Sequence, residues 1–386
     1  MTAAHSLPGG ALRRWWRRPG ARGLVWQALL AAIFVAATWW LAGNIAVNLP
    51  RLKMELNFGF VFDRASFELG DNLLGYGAGD TFLRAFGAGI VNTLQVATIG
   101  IVLTAVIGTL VALVRLSGNA LAGGLAWLYV EISRNLPLLL QLFLWQALLV
   151  RALPAPRAAW QPLPDVFVSN RGLSLPTLTW QPALTVAVLA WALGVAAYVV
   201  ARRNAWRSPW LHMAWLLPPL GAWLLLGQAL QFDPPVLQGF NVRGGATVVP
   251  EFFSLLFGLV FCHAAFAAES IRAGILGVAA GQSDAARSLG LSRWQTLRLV
   301  VLPQSLRLLV PPMTSNFLSL TKSSSLAVAI GYPELVRVST VAISETGRAV
   351  ECITIIVAVY LSLSLLTSAL MNHYNRRIAL RGGVAA

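Results

Sequence analysis

Charge is what this chain lacks. Asp, Glu, Lys and Arg make up 11% of its 386 residues, whereas 57% are hydrophobic. A soluble globular domain carries roughly 25% charged residues. The polar surface that would keep a body of this length in water is missing, and so is the polarity of a disordered chain. Lysine is almost absent, with Lys53 and Lys322 the only two. Neither stands in a Gly-x-x-x-x-Gly-Lys-Ser/Thr pattern, so the chain has no P-loop with which to hold ATP. Cysteine occurs only at Cys262 and Cys352, each in or beside an apolar run. That excludes a disulfide framework and a cysteine metal site. His5, His212, His263 and His373 form no cluster and no His-Glu-x-x-His pattern. No metal site and no cofactor are expected. No nucleophile–base arrangement can be assembled, so the chain is expected to catalyse nothing itself.

What it has instead is long apolar runs. A membrane-spanning helix needs roughly 20 mostly apolar residues. Eight stretches qualify, at 24–47, 87–114, 120–150, 182–200, 210–230, 251–269, 308–330 and 352–371. Glu131 and Arg134 interrupt the third, and Lys322 lies in the seventh. The first follows Arg13, Arg14, Arg17, Arg18 and Arg22. It is longer than the apolar region of about 7–15 residues in a secretory signal, so a retained anchor is expected.

The net charge of +15 comes almost wholly from arginine, in short clusters between apolar runs. A nucleic-acid partner would require a basic stripe, and there is none. Positive charge collects on the cytoplasmic side of a membrane. With the N-terminus inside and eight spans, inside segments hold the N-terminal cluster, Arg115, Arg202, Arg203, Arg207, Arg272, Arg287, Arg293, Arg298, Arg307, Arg376, Arg377 and Arg381. Most acids, Glu334 among them, fall in outside loops, and Asp284 is the one acid clearly inside. Both termini are therefore expected to be cytoplasmic. The expected layout is a basic segment 1–23, a first span with its outer loop 24–84, a transmembrane domain 85–375 and a tail 376–386. A helix pair at 151–249 interrupts that domain, and a cytoplasmic loop at 271–307 belongs to it. The outer segment 151–181 is rich in proline and so stiff and extended, which suits either a docking surface or a plain connection.

The loop at 271–307 carries the most information. Its residues 281–307 read GQSDAARSLGLSRWQTLRLVVLPQSLR. Ser283 is placed to cap a short helix, with Asp284 in its first turn and Gly290 at a left-handed stop. Ser292 caps a second helix, and Gln295 three residues on completes a capping box. Pro303 perturbs that helix where it re-enters the membrane. Ala285 and Ala286 leave room for close packing against another protein.

Asp284-Ala285-Ala286, three residues, Gly290, nine residues, Val300, one residue and Leu302-Pro303 resembles the signature loop of ABC importer permeases, which begins with Glu and has Ile at the Val300 position. Three further segments are similar to polar amino acid importer permeases. They are YVEISRNLPLLLQ at 129–141, AESIRAG at 268–274, and FLSLTKSSSLA at 317–327 with Glu334-Leu335 after it. The inserted helix pair is similar in layout to that of the general L-amino acid permeases. The resemblance implies an all-α integral membrane protein with the type I ABC importer permease fold and about eight transmembrane helices. It also implies a multi-pass location in the bacterial inner membrane. Asp284, Ala285, Ala286, Gly290, Leu302 and Pro303 would form the coupling helix that docks on a separate ABC ATPase dimer. The other implied partners are a second permease subunit, as a homologous heterodimer or a homodimer, and a periplasmic amino-acid-binding protein. No nucleic acid is implied.

Ionisable groups inside a span are costly and face a cavity or a partner. The candidate substrate path is therefore Glu131, Arg134, Glu269, Arg272, Asn316, Lys322 and Ser323. Glu131 with Arg134, and Glu269 with Arg272, stand at i,i+3 and can neutralise each other as structural pairs. They can equally line a path for a zwitterion. The rival reading is an ion-coupled secondary amino acid transporter. It predicts internal repeats or several membrane-buried acids, and would leave the signature loop unexplained.

Overall fold

The computed structural model describes residues 19–51, 56–70, 72–178, 189, 191–196, 198–200 and 232–380. About half of the fourth expected span, all of the fifth, the N-terminal arginine cluster before residue 19, Arg202, Arg203, Arg207 and Arg381 lie outside the described residues. The chain divides into two compact units, one ending at Phe60 and the other beginning at Val61.

The first unit contains helix α1 (Pro19–Arg51), within which Val25–Asn44 is long and apolar enough to cross a membrane.

The second unit is built on long helices. In chain order they are α2 (Phe82–Leu116), α3 (Ala120–Asn135), α4 (Leu138–Ala152), α5 (Pro250–Leu276), the short α6 (Ala280–Ser288) and α7 (Arg293–Thr296), α8 (Leu302–Ser323), α9 (Leu335–Thr346) and α10 (Ala349–Leu380). Three of them, α2, α5 and α10, are single helices of spanning length. The third expected span is a bent pair, and the seventh forms one arm of another. Helices α3 and α4 meet at 108°, and the segment ending at Ile330 meets α9 at 47°. Glu131 and Arg134 do not interrupt the third span. The break falls at Leu136–Pro137, where Leu136 is extended and Pro137 has no N–H to continue the helix.

Helix α2 shows why these helices associate. Ala85, Ala88, Gly89, Ala97, Gly100, Thr104, Gly108 and Ala112 recur at helical spacing and are buried. Val102, Val106, Leu110 and Leu113 on its other faces are exposed. Hydrocarbon tails are as apolar as leucine, so a bilayer gives no hydrophobic drive to helix pairing, and close backbone approach takes its place. At Gly108 an added Cβ would lie 2.6 Å from the Ala267 side chain and 3.1 Å from the Ala264 carbonyl. Helix α5 is the centre of the unit, with 72% of its most apolar window buried against 33% for α2 and 11% for α10. One core cluster gathers Val96, Leu142, Leu255, Leu259, Ala327 and Tyr332. A second gathers Ala112, Val130, Ala265, Ala268, Ile271 and Met313.

The described flanks of the inserted segment are not plain extended loops. Strands β1 (Trp160–Leu163), β2 (Val166–Ser169), β3 (Gly172–Leu175), β4 (Thr177–Leu178), β5 (Phe232–Asp233), β6 (Val236–Gln238), β7 (Asn241–Arg243) and β8 (Ala246–Val248) fold there. They form an antiparallel sheet in the order β1-β2-β3-β8, with β4–β5 and β6–β7 pairs beside it. Strands β3 and β8 pair Leu173 with Val248 and Ser174 with Thr247, joining the two flanks. The otherwise helical fold thus carries a small β element.

Candidate functional site

Helix α5 runs into the loop at Gly277, and α8 leaves it at Leu302. Between them the chain folds on local rules. Helix α6 begins at Ala280, capped by backbone alone through the Gln282 N–H on the Ala279 carbonyl at 2.9 Å. Ser283, expected as the cap, lies inside the helix, because Ala280 to Gln282 already continue it. Gly290 takes φ 81°, as expected of a left-handed stop. Its N–H reaches the Arg287 carbonyl at 2.9 Å, and Leu291 N–H reaches Ala286 at 3.2 Å, a complete Schellman turn. The capping box forms as read: Ser292 Oγ accepts from Gln295 N–H at 3.3 Å, and Gln295 Oε1 accepts from Ser292 N–H at 2.9 Å. A π turn at Leu297–Val301 then leads into α8, with Pro303 in its first turn. Pro303 cannot donate to Leu299, and the wider turn absorbs the missing bond.

The side chains sort into two faces. Ala286 is buried against the chain itself, whereas Asp284 and Ala285 are exposed. The two alanines therefore do not share one docking face. Asp284 meets Arg287 only at 3.8 Å, with both side chains well exposed, a pair worth little. Leu302 and Pro303 are exposed at the foot of α8. Two residues not singled out from the sequence complete the face: Leu289 is 82% exposed and Trp294 68%. The signal for them was available, since a leucine before a helix-stop glycine and a tryptophan in a polar loop have no core to enter.

The candidate path residues have different partners. Glu269 accepts from Arg272 Nη2 at 2.6 Å and Nε at 3.2 Å, and also pairs with Arg115, 154 positions earlier. Asn316 is buried and answers His263 twice, at 2.7 Å to the ring and 3.0 Å from its Nδ2 to the carbonyl. It ties α8 to α5. Glu131 does not pair with Arg134. It accepts from Asn135 at 3.3 Å, while the Arg134 guanidinium lies 5.4 Å from the Phe266 ring centroid. Lys322 is exposed and, among the described residues, has no ion-pair partner. Ser323 is half-buried beside it.

Glu334, expected in an outside loop, is fully buried. It caps α9 by accepting from Val336 N–H at 2.8 Å and Arg337 N–H at 2.9 Å, and takes the Tyr360 hydroxyl at 3.1 Å. In the loop before α2, Asp80 accepts from Gly77 N–H at 2.9 Å and pairs with Arg84 at 3.0 Å. The Gly77 amide first, and Arg84 with it, hold the Asp80 carboxyl below its ordinary pKa.

Two cavities are also present, the second beside Glu334 at Pro333 and Arg337. One, of about 360 Å³, is apolar and lies between Ile107, Tyr129, Trp145 and Phe261. The other, of about 390 Å³, is lined by Glu68, Glu251 and Arg337 among others.

Several apolar helices of spanning length, with an exposed, self-capped loop between two of them, define a multi-pass membrane protein. Residues 195–380 match the family described as "Binding-protein-dependent transport system inner membrane component". The chain is 40% identical over 373 residues to the general L-amino acid transport system permease protein AapQ of Rhizobium johnstonii, covering 94% of this chain and 93% of that one. It is 41% identical over 379 residues to the putative amino-acid ABC transporter permease protein YhdX of Escherichia coli, covering 94% and 95%. It is 35% identical over 402 residues to the glutamate/glutamine/aspartate/asparagine transport system permease protein BztB of Rhodobacter capsulatus, covering 93% and 94%. The chain belongs to this family of ABC importer permeases, translocation subunits that work with ATPase and binding-protein partners.

Proposed function

We propose that this chain is the permease subunit of an ATP-binding-cassette importer that carries L-amino acids across a bacterial inner membrane. Separate ATPase subunits dock on the loop at 271–307 and supply the energy. The observation that carries the reading is the loop itself, a rigid capped unit that holds Asp284, Ala285, Leu289, Gly290 and Trp294 outward. The relatives' names support amino acids as cargo. A second, related permease subunit completes the path, and a binding protein delivers the substrate from outside. Of the charged candidate path residues, Lys322 is the one whose side chain has no ion-pair, hydrogen-bond or ring partner within the described chain, whereas Glu131 has Asn135 and Arg134 has the Phe266 ring. We assign it, with Ser323 beside it, to the substrate carboxylate.

Gly290 gives a clean test, because nothing among the described residues lies within 4 Å of where its Cβ would be. A substitution there strains the turn without disturbing the chain's own packing. Gly290→Ala measures the strain, about 1 kcal/mol for a residue forced left-handed. Gly290→Asp adds a charge to the docking face. The expected result is that the ATPase co-purifies with wild type and Gly290→Ala, and not with Gly290→Asp. Equal recovery with all three contradicts the docking assignment.

A further inference from the structure

We infer that the Arg115–Glu269–Arg272 cluster is the positioning element that passes movement of the loop to α2. The proposal rests on the reading of the loop as the ATPase dock.

Glu269 and Arg272 lie in the last two turns of α5, the helix that runs directly into the loop. Arg115 is the penultimate residue of α2, where a cation also suits the negative end of the helix dipole. Both carboxylate oxygens of Glu269 are engaged. Arg272 Nη2 donates to Oε1 at 2.6 Å, and Arg272 Nε donates to Oε2 at 3.2 Å. Arg115 Nη1 donates to Oε2 as well. A forked guanidinium–carboxylate contact is directional, so it fixes orientation as well as distance. The Arg115 side chain is 13% exposed, which limits solvent screening of the contact.

The cluster supplies what the rest of the seam lacks. Two turns earlier, α2 and α5 meet through Gly108, Ala264 and Ala267 with almost no side chain between them. Such a seam holds helices close, yet it offers few interlocking side chains to stop one sliding along the other. An ion cluster at the end of the seam fixes that register. The same end of α5 is packed against α8, where a Cβ at Gly274 would lie 2.9 Å from Leu309 Cβ. The loop is therefore anchored at both ends on one α5–α8 block, and the cluster adds α2 to it.

One carboxylate serves two guanidiniums, so the three members are not equivalent. Removing Glu269 leaves two like charges facing each other. Removing Arg115 leaves the α5-internal pair intact and cuts only the link to α2. Arg115→Gln is therefore the decisive variant, since α5 keeps its own pair.

The experiment uses the complete importer in proteoliposomes and reads amino acid uptake and ATP hydrolysis from the same vesicles. Inter-site coupling is worth about 5–150-fold, so Arg115→Gln and Glu269→Gln are expected to lower uptake per ATP roughly tenfold. The exchange Arg115→Glu with Glu269→Arg restores opposite charges across the seam and is expected to recover most of the ratio. A packing defect alone would lower assembled complex and both activities together, leaving the ratio and its rescue unmoved. A wild-type ratio in Arg115→Gln, or an exchange no better than the single variants, overturns the proposal. Failure of the docking reading is distinguishable: the wild-type chain would then recover no ATPase, and the clamp would fall with it.

Discussion

The loop at 271–307 and the α2–α5 seam are built on opposite principles. The loop is held by contacts between residues a few positions apart: the Schellman turn at Gly290, the Ser292–Gln295 box and the π turn before Pro303. Local bonding leaves its apolar side chains free, and Leu289 and Trp294 stand out from it. The seam is held by contacts between residues more than a hundred positions apart, and its small side chains are buried. A segment that shapes itself can be displayed to a partner. A segment shaped by its neighbour can transmit displacement but has nothing left to display.

That contrast can be broken or sharpened by substitution. The largest effect is expected at the displayed apolar pair. Interface anchors cost about 2 kcal/mol or more when truncated, which is ~30-fold in affinity. Leu289→Asp with Trp294→Ala should therefore weaken ATPase binding, measured by titration in detergent, without lowering the thermal midpoint of the chain. The seam should behave the other way round. Gly108→Val places carbon where Ala267 already stands, and overpacking costs about 1–3 kcal/mol. Its midpoint should fall while the isolated loop contacts survive.

Asn316→Ala is expected to be milder. Interhelical hydrogen bonds in membranes average about 0.6 kcal/mol and reach about 1.7. The midpoint should drop slightly, and the KM for amino acid should stay put if both Asn316 amide atoms remain committed to His263. A large KM change with an unaltered midpoint would return Asn316 to the substrate path. The smallest effect is the pH response of Asp80. Its lowered pKa means the folded state favours the charged form, so its stabilisation is complete above the ordinary carboxylate range. That stabilisation is lost as pH falls through the lowered value. Asp80→Asn should lower the midpoint slightly at neutral pH and leave it nearly unchanged at low pH, so the acid limb of a midpoint-against-pH curve flattens.

The same contrast explains what could be read from the residues alone. Gly290, Ser292 and Gln295 announce their roles because caps and stops are decided within one helical turn. The spacing from Asp284 to Pro303 gave the family for the same reason, and the relatives bear it out. Pro137 was also readable, yet the charges at Glu131 and Arg134 drew the break to themselves. Ser283 misled because a helix can start on backbone bonds without a capping side chain. The Arg115–Glu269 contact was out of reach: i,i+3 spacing pointed to Arg272, and nothing local marks a partner 154 positions away. The sorting of charge across eight spans assigns Glu334 to an outside loop, and nothing near it in the sequence marks it as buried. Its burial depends on the Tyr360 hydroxyl and on two amides whose orientation only the fold supplies. Strands β2 and β3 are four residues each, too short for alternation to stand out among prolines.

The most direct test of the docking face is a cross-link from Ala285, which is exposed and small. Both native cysteines are buried, so Ala285→Cys provides a single accessible thiol among the described residues. In assembled importer, a short thiol-reactive cross-linker on Ala285→Cys should capture the ATPase subunit, and Gly290→Asp in the same chain should abolish the product. An assembled, transporting complex in which the thiol at 285 stays freely reactive and captures no ATPase would contradict the account.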